Sequence, residues 1–296
     1  MPVVDLFAGC GGLSLGFQQA GFHLAAAYDF WEPAVKVYRR NFNDHEIFQM
    51  DLSNVEEVLP HIRQFHPDMI IGGPPCQDFS HAGKRQEGKR ASLTESYAQI
   101  VTAILPEWFV MENVDRAEKS RSYARARELF TAAGYGLTER VYDASFCGVP
   151  QRRKRFICVG HLNDRDGFLT AIVDRRLANA PMTLRDYFGD ALGIEYYYRH
   201  PRNYSRRAIF SIDEPSPTIR GVNRPIPTGY VRNPNDPVGP EGIRPLTTLE
   251  RAQIQTFPQN FIFEGCKTDL EQIIGNAVPV GLGRFVANCI QEYING

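Results

Sequence analysis

Val3-Val4-Asp5-Leu6-Phe7-Ala8-Gly9-Cys10-Gly11-Gly12-Leu13-Ser14-Leu15-Gly16-Phe17 decides the fold. Residues 3–7 form an apolar run that reads as a strand, and Gly9-Cys10-Gly11-Gly12 reads as a tight turn. Leu13, Phe17 and Ala20 then recur at helical spacing, with Gly21 as the stop. Strand, glycine turn and helix in that order open a parallel sheet flanked by helices. Gly9, Gly11 and Gly12 would let backbone amides approach a ligand at a helix N-terminus. Asp29, 18 residues after Gly11, stands where nucleotide-binding folds set a carboxylate on ribose hydroxyls. The turn lacks the full G-x-G-x-x-G spacing, so S-adenosylmethionine, which has no pyrophosphate, suits it at least as well as a nicotinamide or flavin dinucleotide. Phe30 is placed to stack on adenine, and Asp51-Leu52 to bracket the base. Taken singly, each of these residues is as readily an ordinary core or surface residue.

Working outward, the alternation continues. Strands are expected over 22–28, 47–50, 69–71 and 108–111, with helices near 33–40 and 55–65. Ser92 and Glu95 make a capping-box pattern at the start of a further helix that ends before Pro106. Residues 141–145 and 155–160 are β-like and close enough to pair as an antiparallel edge. From 186 to 242 the chain is rich in Arg, Tyr, Pro and Asn without periodicity, which predicts a small irregular domain. Thr247 and Glu250 suggest another capping box over 247–255, and 280–293 reads as a closing helix that packs on the first domain. The expected division is 1–185 plus 275–296 as one domain and 186–274 as a smaller one.

Composition sets outer bounds. With 296 residues and 43% hydrophobic content, the chain supports a large core, and disorder as the main state is excluded. No run approaches the ~18 apolar residues of a membrane span, and no signal-peptide pattern follows Met1, so a soluble intracellular protein is expected. The six cysteines contain no C-x2-C pair, which suggests neither a zinc site nor a disulfide framework. The 33 basic and 34 acidic residues nearly cancel, yet residues 151–244 hold 16 basic against 10 acidic and the remainder 17 against 24. That middle third is the basic part of the chain, where a polyanion would bind.

Gly72-Gly73-Pro74-Pro75-Cys76-Gln77-Asp78-Phe79-Ser80 directly follows the fourth strand, placing Cys76 at the sheet edge where open α/β folds bind ligands. Glycines and prolines before it and polar residues after it argue against a core-filling cysteine and for a nucleophile, and for the other five cysteines burial is the expected fate. Glu112-Asn113-Val114 follows the fifth strand and brings a carboxyl to the same edge. A thiolate adding to C6 of a pyrimidine builds electron density on the ring, and an acid at N3 with a raised pKa would stabilise it. In Gln151-Arg152-Arg153-Lys154-Arg155, alternation points Arg153 and Arg155 to one face, where they would hold a phosphate or the pyrimidine carbonyl unless the run is simply solvated. Lys84, Arg85, Lys89 and Arg90 give a basic loop just after Cys76.

In family order, DLFAGCGG, GGPPCQDFS, ENV, QRRKR, RPLTTLERAQIQTFP and IGNAVPVGLG resemble the conserved blocks of the DNA (cytosine-5)-methyltransferases of bacterial restriction-modification systems, over nearly the whole chain. The resemblance implies a Rossmann-like S-adenosylmethionine-dependent fold with a smaller DNA-recognition domain. It implies that S-adenosylmethionine is bound by Phe7, the Gly9, Gly11 and Gly12 turn, Asp29, Phe30, Asp51, Leu52, Pro74 and Asn276, and leaves as S-adenosylhomocysteine, with no metal. Cys76 would attack C6 of a cytosine flipped from duplex DNA, Glu112 would contact N3, and Arg153 and Arg155 would assist. Gln77, Ser80, Lys84 and Arg85 would meet the DNA, and Thr218, Arg220 and Arg224 would belong to its recognition surface, the arginines reading guanine edges or phosphates. A monomer in the prokaryotic cytoplasm, associated with the nucleoid and paired functionally with a restriction endonuclease, would follow. Asp29 departs from the glutamate of many relatives, and with so short an N-terminus no regulatory arm is expected. An RNA cytosine-5 methyltransferase, a dinucleotide oxidoreductase and a catalytically silent DNA-binding module are the rival readings.

Overall fold

Alternating apolar runs become the strands of one seven-stranded sheet. The computed structural model describes residues 1–75, 92–203 and 205–296; Cys76, Gln77, Ser80, Lys84 and Arg85 therefore lie outside the described residues. In chain order the elements are β1 (Pro2–Leu6), α1 (Gly12–Gln19), β2 (His23–Asp29), α2 (Glu32–Asn41), β3 (Glu46–Gln49), α3 (Val55–Arg63), β4 (Met69–Gly72), α4 (Leu93–Ile104), β5 (Trp108–Val114), α5 (Arg121–Ala132), β6 (Tyr135–Asp143), β7 (Gln151–Arg152) and β8 (Lys154–Leu162). They continue as α6 (Thr170–Arg176), α7 (Leu184–Phe188), β9 (Tyr196–Tyr198), β10 (Ile209–Ser211), β11 (Ser216–Pro217), α8 (Thr248–Ile254), α9 (Lys267–Asn276) and α10 (Val280–Ile294).

The sheet order is β3-β2-β1-β4-β5-β8-β6. Strands β1 to β5 are parallel, and only β8 runs the other way, antiparallel to both β5 and β6. The order reverses between β1 and β4, and it is at such a switch, beyond the carboxyl ends of the strands, that α/β sheets form ligand crevices. Alternation along β1 sorts its side chains between two cores. Val3 joins Phe17 of α1 and Val286 and Ile290 of α10. Val4 and Leu6 join Ile62 of α3, Val101 of α4 and Phe130 of α5. Asp5 shares the face of Val3, and there it accepts a hydrogen bond from Ser14 Oγ of α1 at 2.5 Å. A third core joins Val35 and Tyr38 of α2 to Tyr197, Phe210, Ile254 and Ile274.

The two β-like runs after residue 140 do pair antiparallel, but β6 begins at Tyr135 and α5 precedes it unforeseen. Thr138 and Glu139 break the apolar run for a local reason: Glu139 accepts the Tyr123 hydroxyl at 2.5 Å and pairs with Arg127 at 3.1 Å, both on α5. The Thr247–Glu250 capping box forms in full. At Ser92 only half of it does, because the hydroxyl accepts the Glu95 amide at 3.2 Å while the Glu95 carboxylate lies 3.3 Å from Arg125. The 186–242 stretch is irregular as expected, with the short pair β9–β10 and the two-residue β11.

Candidate functional site

A cavity of about 780 Å³ opens at the carboxyl ends of the central strands. That is within the ~300–1,000 Å³ usual for small-ligand sites. Phe7 and Gly9 line it after β1, Asp29 and Phe30 at the end of β2, Asp51 and Leu52 after β3, Pro74 after β4 and Asn276 at the end of α9. Eight of the expected cofactor residues are thus brought together. Asp29 accepts the Gly9 amide on Oδ2 and the Trp31 amide on Oδ1, each at 2.8 Å. Each carboxylate oxygen keeps a lone pair for a hydroxyl donor. Burial raises the Asp29 carboxyl above its usual range, against the three backbone hydrogen bonds that lower it.

Gly11 and Gly12 of the same turn are set back from the cavity lining. A Cβ on Gly11 would sit 2.4 Å from the Phe42 ring, and one on Gly12 would sit 2.2 Å from the Val278 carbonyl. Both glycines permit helix packing behind the turn. Gly9, at φ 58°, is the one that faces the cavity, with nothing within 4 Å of its would-be Cβ. Sequence reasoning also missed Trp31, Leu93 and Val278 in the lining, whose apolar side chains resemble any core residue until the fold is known.

The cavity's other end carries the reactive groups. Glu112 is buried on β5, with its Oε1 2.8 Å from Nε of Arg155 on β8. The two residues are near neighbours across the sheet because Val114 pairs with Arg155 and Glu112 with Ile157. Desolvation raises the Glu112 pKa, and the charges of Arg155 and then Arg153 oppose it. Pro74 and Pro75 also line this end, and Cys76 is the next residue in the chain. Asn113, which the sequence did not single out, donates from Nδ2 to the Pro74 carbonyl at 3.0 Å and accepts the Val114 amide at 2.8 Å. It ties the Pro-Pro segment to β5. Gly73 completes the approach, since a Cβ there would lie 3.1 Å from Glu112 Oε2.

The remaining cysteines separate as thiols. Cys10, Cys147, Cys158 and Cys289 are buried, and desolvation pushes Cys10, Cys147 and Cys289 up to about 12 and Cys158 higher still. Cys266 departs from the expected burial: it is exposed at the start of α9, its Sγ 3.0 Å from Asp269 Oδ2. None of these five presents a reactive thiolate to the cavity.

A family model described as C-5 cytosine-specific DNA methylase matches residues 1–292. The chain belongs to this family. The methylase is 58% identical to the Type II methyltransferase M.HindV of Haemophilus influenzae over 99% of this chain and 97% of that one. It is 53% identical to the Type II methyltransferase M.HgiDI of Herpetosiphon aurantiacus over 100% of this chain and 96% of the relative. Among solved structures, the S. pombe Dnmt2 methyltransferase shares the fold at a TM-score of 0.75 and 18% identity, with both chains covered completely. The methylase therefore transfers a methyl group to C5 of cytosine in DNA, and its family uses S-adenosylmethionine. The cavity fits that cofactor: a carboxylate with spare lone pairs, aromatic Phe30 and apolar Leu52 stand together near the glycine turn.

Arg153 of the methylase is set apart from Arg155 by its partners. Its guanidinium is fully buried and donates to the carbonyls of Ile219 at 2.9 Å, Gly275 at 2.9 Å and Ala277 at 3.0 Å. Desolvation, followed by the charge of Arg155, lowers its pKa, and Glu112 opposes. These bonds join the start of β8 to the 186–242 stretch and to the α9–α10 corner. Gln151 works beside Arg153, accepting the Ile219 amide at 2.8 Å and donating to Gln255 at 2.7 Å. Arg153→Met is expected to destabilise the methylase by about 3 kcal/mol or more, because three buried carbonyls lose a charged donor. Urea unfolding measures this, and an unchanged midpoint would contradict it.

In the basic stretch, Thr218 donates to the Arg152 carbonyl at 2.8 Å, and β11 pairs in parallel with β7. Arg220 donates to the His200 carbonyl, Arg251 donates to the Arg220 carbonyl, and Arg224 is exposed. Arg220 is thus anchored to the backbone, whereas Arg224 projects to solvent. Among the described residues no group of three or more His, Cys, Asp or Glu is arranged to hold a metal.

Proposed function

We propose that this methylase modifies one cytosine within a specific duplex DNA word by covalent catalysis from Cys76, as the protective member of a Type II restriction-modification pair. The observation that carries the reading is the Glu112–Arg155 pair, 2.8 Å apart at the end of the cavity lined by Pro74 and Pro75, directly before Cys76 in the chain. The relatives named as Type II methyltransferases support the restriction-modification setting. A bacterial cytoplasmic monomer acting on the nucleoid, with a partner endonuclease, completes it.

Cys76 as a thiolate adds to C6 of the flipped cytosine, which turns C5 into a carbon nucleophile. Glu112, protonated, donates to N3 and accepts from the exocyclic amine, so the charge built up by addition is neutralised in place. Arg155 orients that carboxyl from the far side. S-adenosylmethionine supplies an electrophilic methyl group on a sulfonium. Loss of the C5 proton to solvent expels Cys76 as a thiolate, and the N3 proton returns to Glu112, which restores the aromatic base, now methylated. Lys84, Arg85, Gln77 and Ser80 contact the DNA around the vacated base. Residues 186–274 form the recognition unit, in which Arg224 and the Thr218–Arg220 segment face the DNA, and residues 1–185 with 275–296 form the catalytic unit.

Incubating the purified chain with labelled S-adenosylmethionine and either duplex DNA or tRNA tests the reading. Label should enter cytosine of the duplex at one sequence, which bisulfite sequencing of expressing cells would identify. Label confined to tRNA would overturn it.

A further inference from the structure

Behind the glycine turn, a line of hydrogen-bonded side chains runs from the cavity to the surface. Asp5 of β1 is its inner end: it is fully buried and belongs to the cavity lining, and its Oδ1 has no hydrogen-bond partner among the described residues. Asp5 Oδ2 lies 2.5 Å from Ser14 Oγ, and Ser14 Oγ lies 2.9 Å from the Tyr38 hydroxyl. That hydroxyl lies 2.6 Å from His45 Nε2, and His45 Nδ1 lies 2.8 Å from Asp44 Oδ1. The half-exposed Asp44 accepts from Gln18 Nε2 at 2.7 Å.

The line has two arrangements in which every bond has one proton. In the first, Asp5 is protonated and donates to Ser14, Ser14 donates to Tyr38, and Tyr38 donates to Nε2 of a neutral His45 whose Nδ1–H serves Asp44. In the second, Asp5 is ionised and every bond from Nε2 inward is reversed, so that His45 is an imidazolium donating to both Tyr38 and Asp44. The two hold the same number of protons. Each hydroxyl takes one proton as it passes one on, nothing is oxidised, and the only net change is a charge pair separated between Asp5 and His45.

We propose that this line is a charge relay that matches the cofactor site to its occupant. The cationic sulfonium of S-adenosylmethionine favours ionised Asp5 with protonated His45, and the neutral sulfur of S-adenosylhomocysteine favours protonated Asp5 with neutral His45. The inference rests on S-adenosylmethionine binding in this cavity. Asp5, Ser14, Tyr38 and His45 then act as positioning residues that help the site distinguish donor from product after each transfer.

The surroundings set the resting arrangement. Burial raises Asp5 to about 7, opposed by Ser14 and reinforced by Asp29 at the end of β2. Tyr38 of α2 faces it and Tyr97 of α4 lies on the other side of the sheet, both pushed well above the ordinary phenol value by burial. His45 is lowered by burial and by His23 of β2, with Asp44 opposing. Near neutral pH Asp5 is therefore poised between its two forms while burial favours neutral His45, and a cation in the cavity tips Asp5 toward the ionised form.

Proton NMR of the histidine rings in the full chain tests the relay, with His45→Gln identifying the His45 signal among the seven histidines. The His45 midpoint is expected about one pH unit higher with S-adenosylmethionine than with S-adenosylhomocysteine, equivalent to an about tenfold preference. Tyr38→Phe keeps the ring stacked on Phe42 at 4.1 Å but removes the bridging hydroxyl. It should abolish the difference and shift the relative affinity about tenfold toward S-adenosylhomocysteine. Equal His45 midpoints in the two native complexes would overturn the relay alone, whatever the variant does, and so would a difference that survives in Tyr38→Phe. Binding of neither ligand would overturn the cofactor reading and the relay with it.

Discussion

Cys76→Ala is expected to lose methyl transfer by about a millionfold, the scale seen when an enzyme's nucleophile is removed. C5 of cytosine does not attack an electrophile until a nucleophile has added at C6, and the methylase's other cysteines offer no substitute. Cys10 lines the cavity, but burial drives its thiol up to about 12, so almost none is thiolate at neutral pH. Cys147, Cys158 and Cys289 are buried, and Cys266 is exposed but outside the cavity lining. DNA binding should survive the substitution, because the basic stretch from 151 to 244 is untouched. Filter binding alongside a methylation assay separates the two quantities. Residual activity within tenfold of the native rate would remove Cys76 from the chemistry.

Glu112→Gln carries the second large effect, a loss of about 100- to 10,000-fold in turnover, the range for a positioned acid. The amide can still hydrogen-bond N3 and the exocyclic amine, so DNA affinity should change little, but it has no proton to give. The pH dependence supplies a second readout. Burial raises the Glu112 pKa, so the acid form persists to higher pH than in an ordinary glutamate and is lost as pH rises through the raised value. The native rate should therefore fall on the alkaline side of that value, a limb that Glu112→Gln should lack. Arg155 is only slightly exposed and would lose its carboxylate partner, so thermal stability should be measured alongside. An unchanged rate in a folded variant would exclude Glu112 as the acid.

The parts of this architecture that were legible in the sequence are those written locally. The strand–glycine turn–helix unit, Asp29 at the end of β2 and the Thr247–Glu250 cap each depend on residues a few positions apart, and backbone preference and hydrophobic period specify them. What escaped is written between distant segments. The place of β8 between β5 and β6 is a pairing choice that no single run encodes. Asn113 was unremarkable until the fold set its side chain against the Pro74 carbonyl, and Gln151 until it bridged Ile219 and Gln255. The packing role of Gly11 and Gly12 was not legible because a ligand approach and a close helix contact demand the same missing Cβ. The buried anchoring of Arg153 was not legible because a run of charges looks the same whether it is solvated or drawn into a set of buried carbonyls.

The central claim is that catalysis passes through a bond between Cys76 and the target base. A duplex carrying 5-fluorocytosine at the methylated position tests it most directly, because fluorine at C5 cannot leave as a proton and the adduct cannot resolve. With S-adenosylmethionine present, intact mass measurement should find protein and DNA joined one to one, the link mapping to the peptide that contains Cys76. Turnover on ordinary cytosine with no adduct on the fluorinated duplex, or a link through any other residue, would contradict the claim.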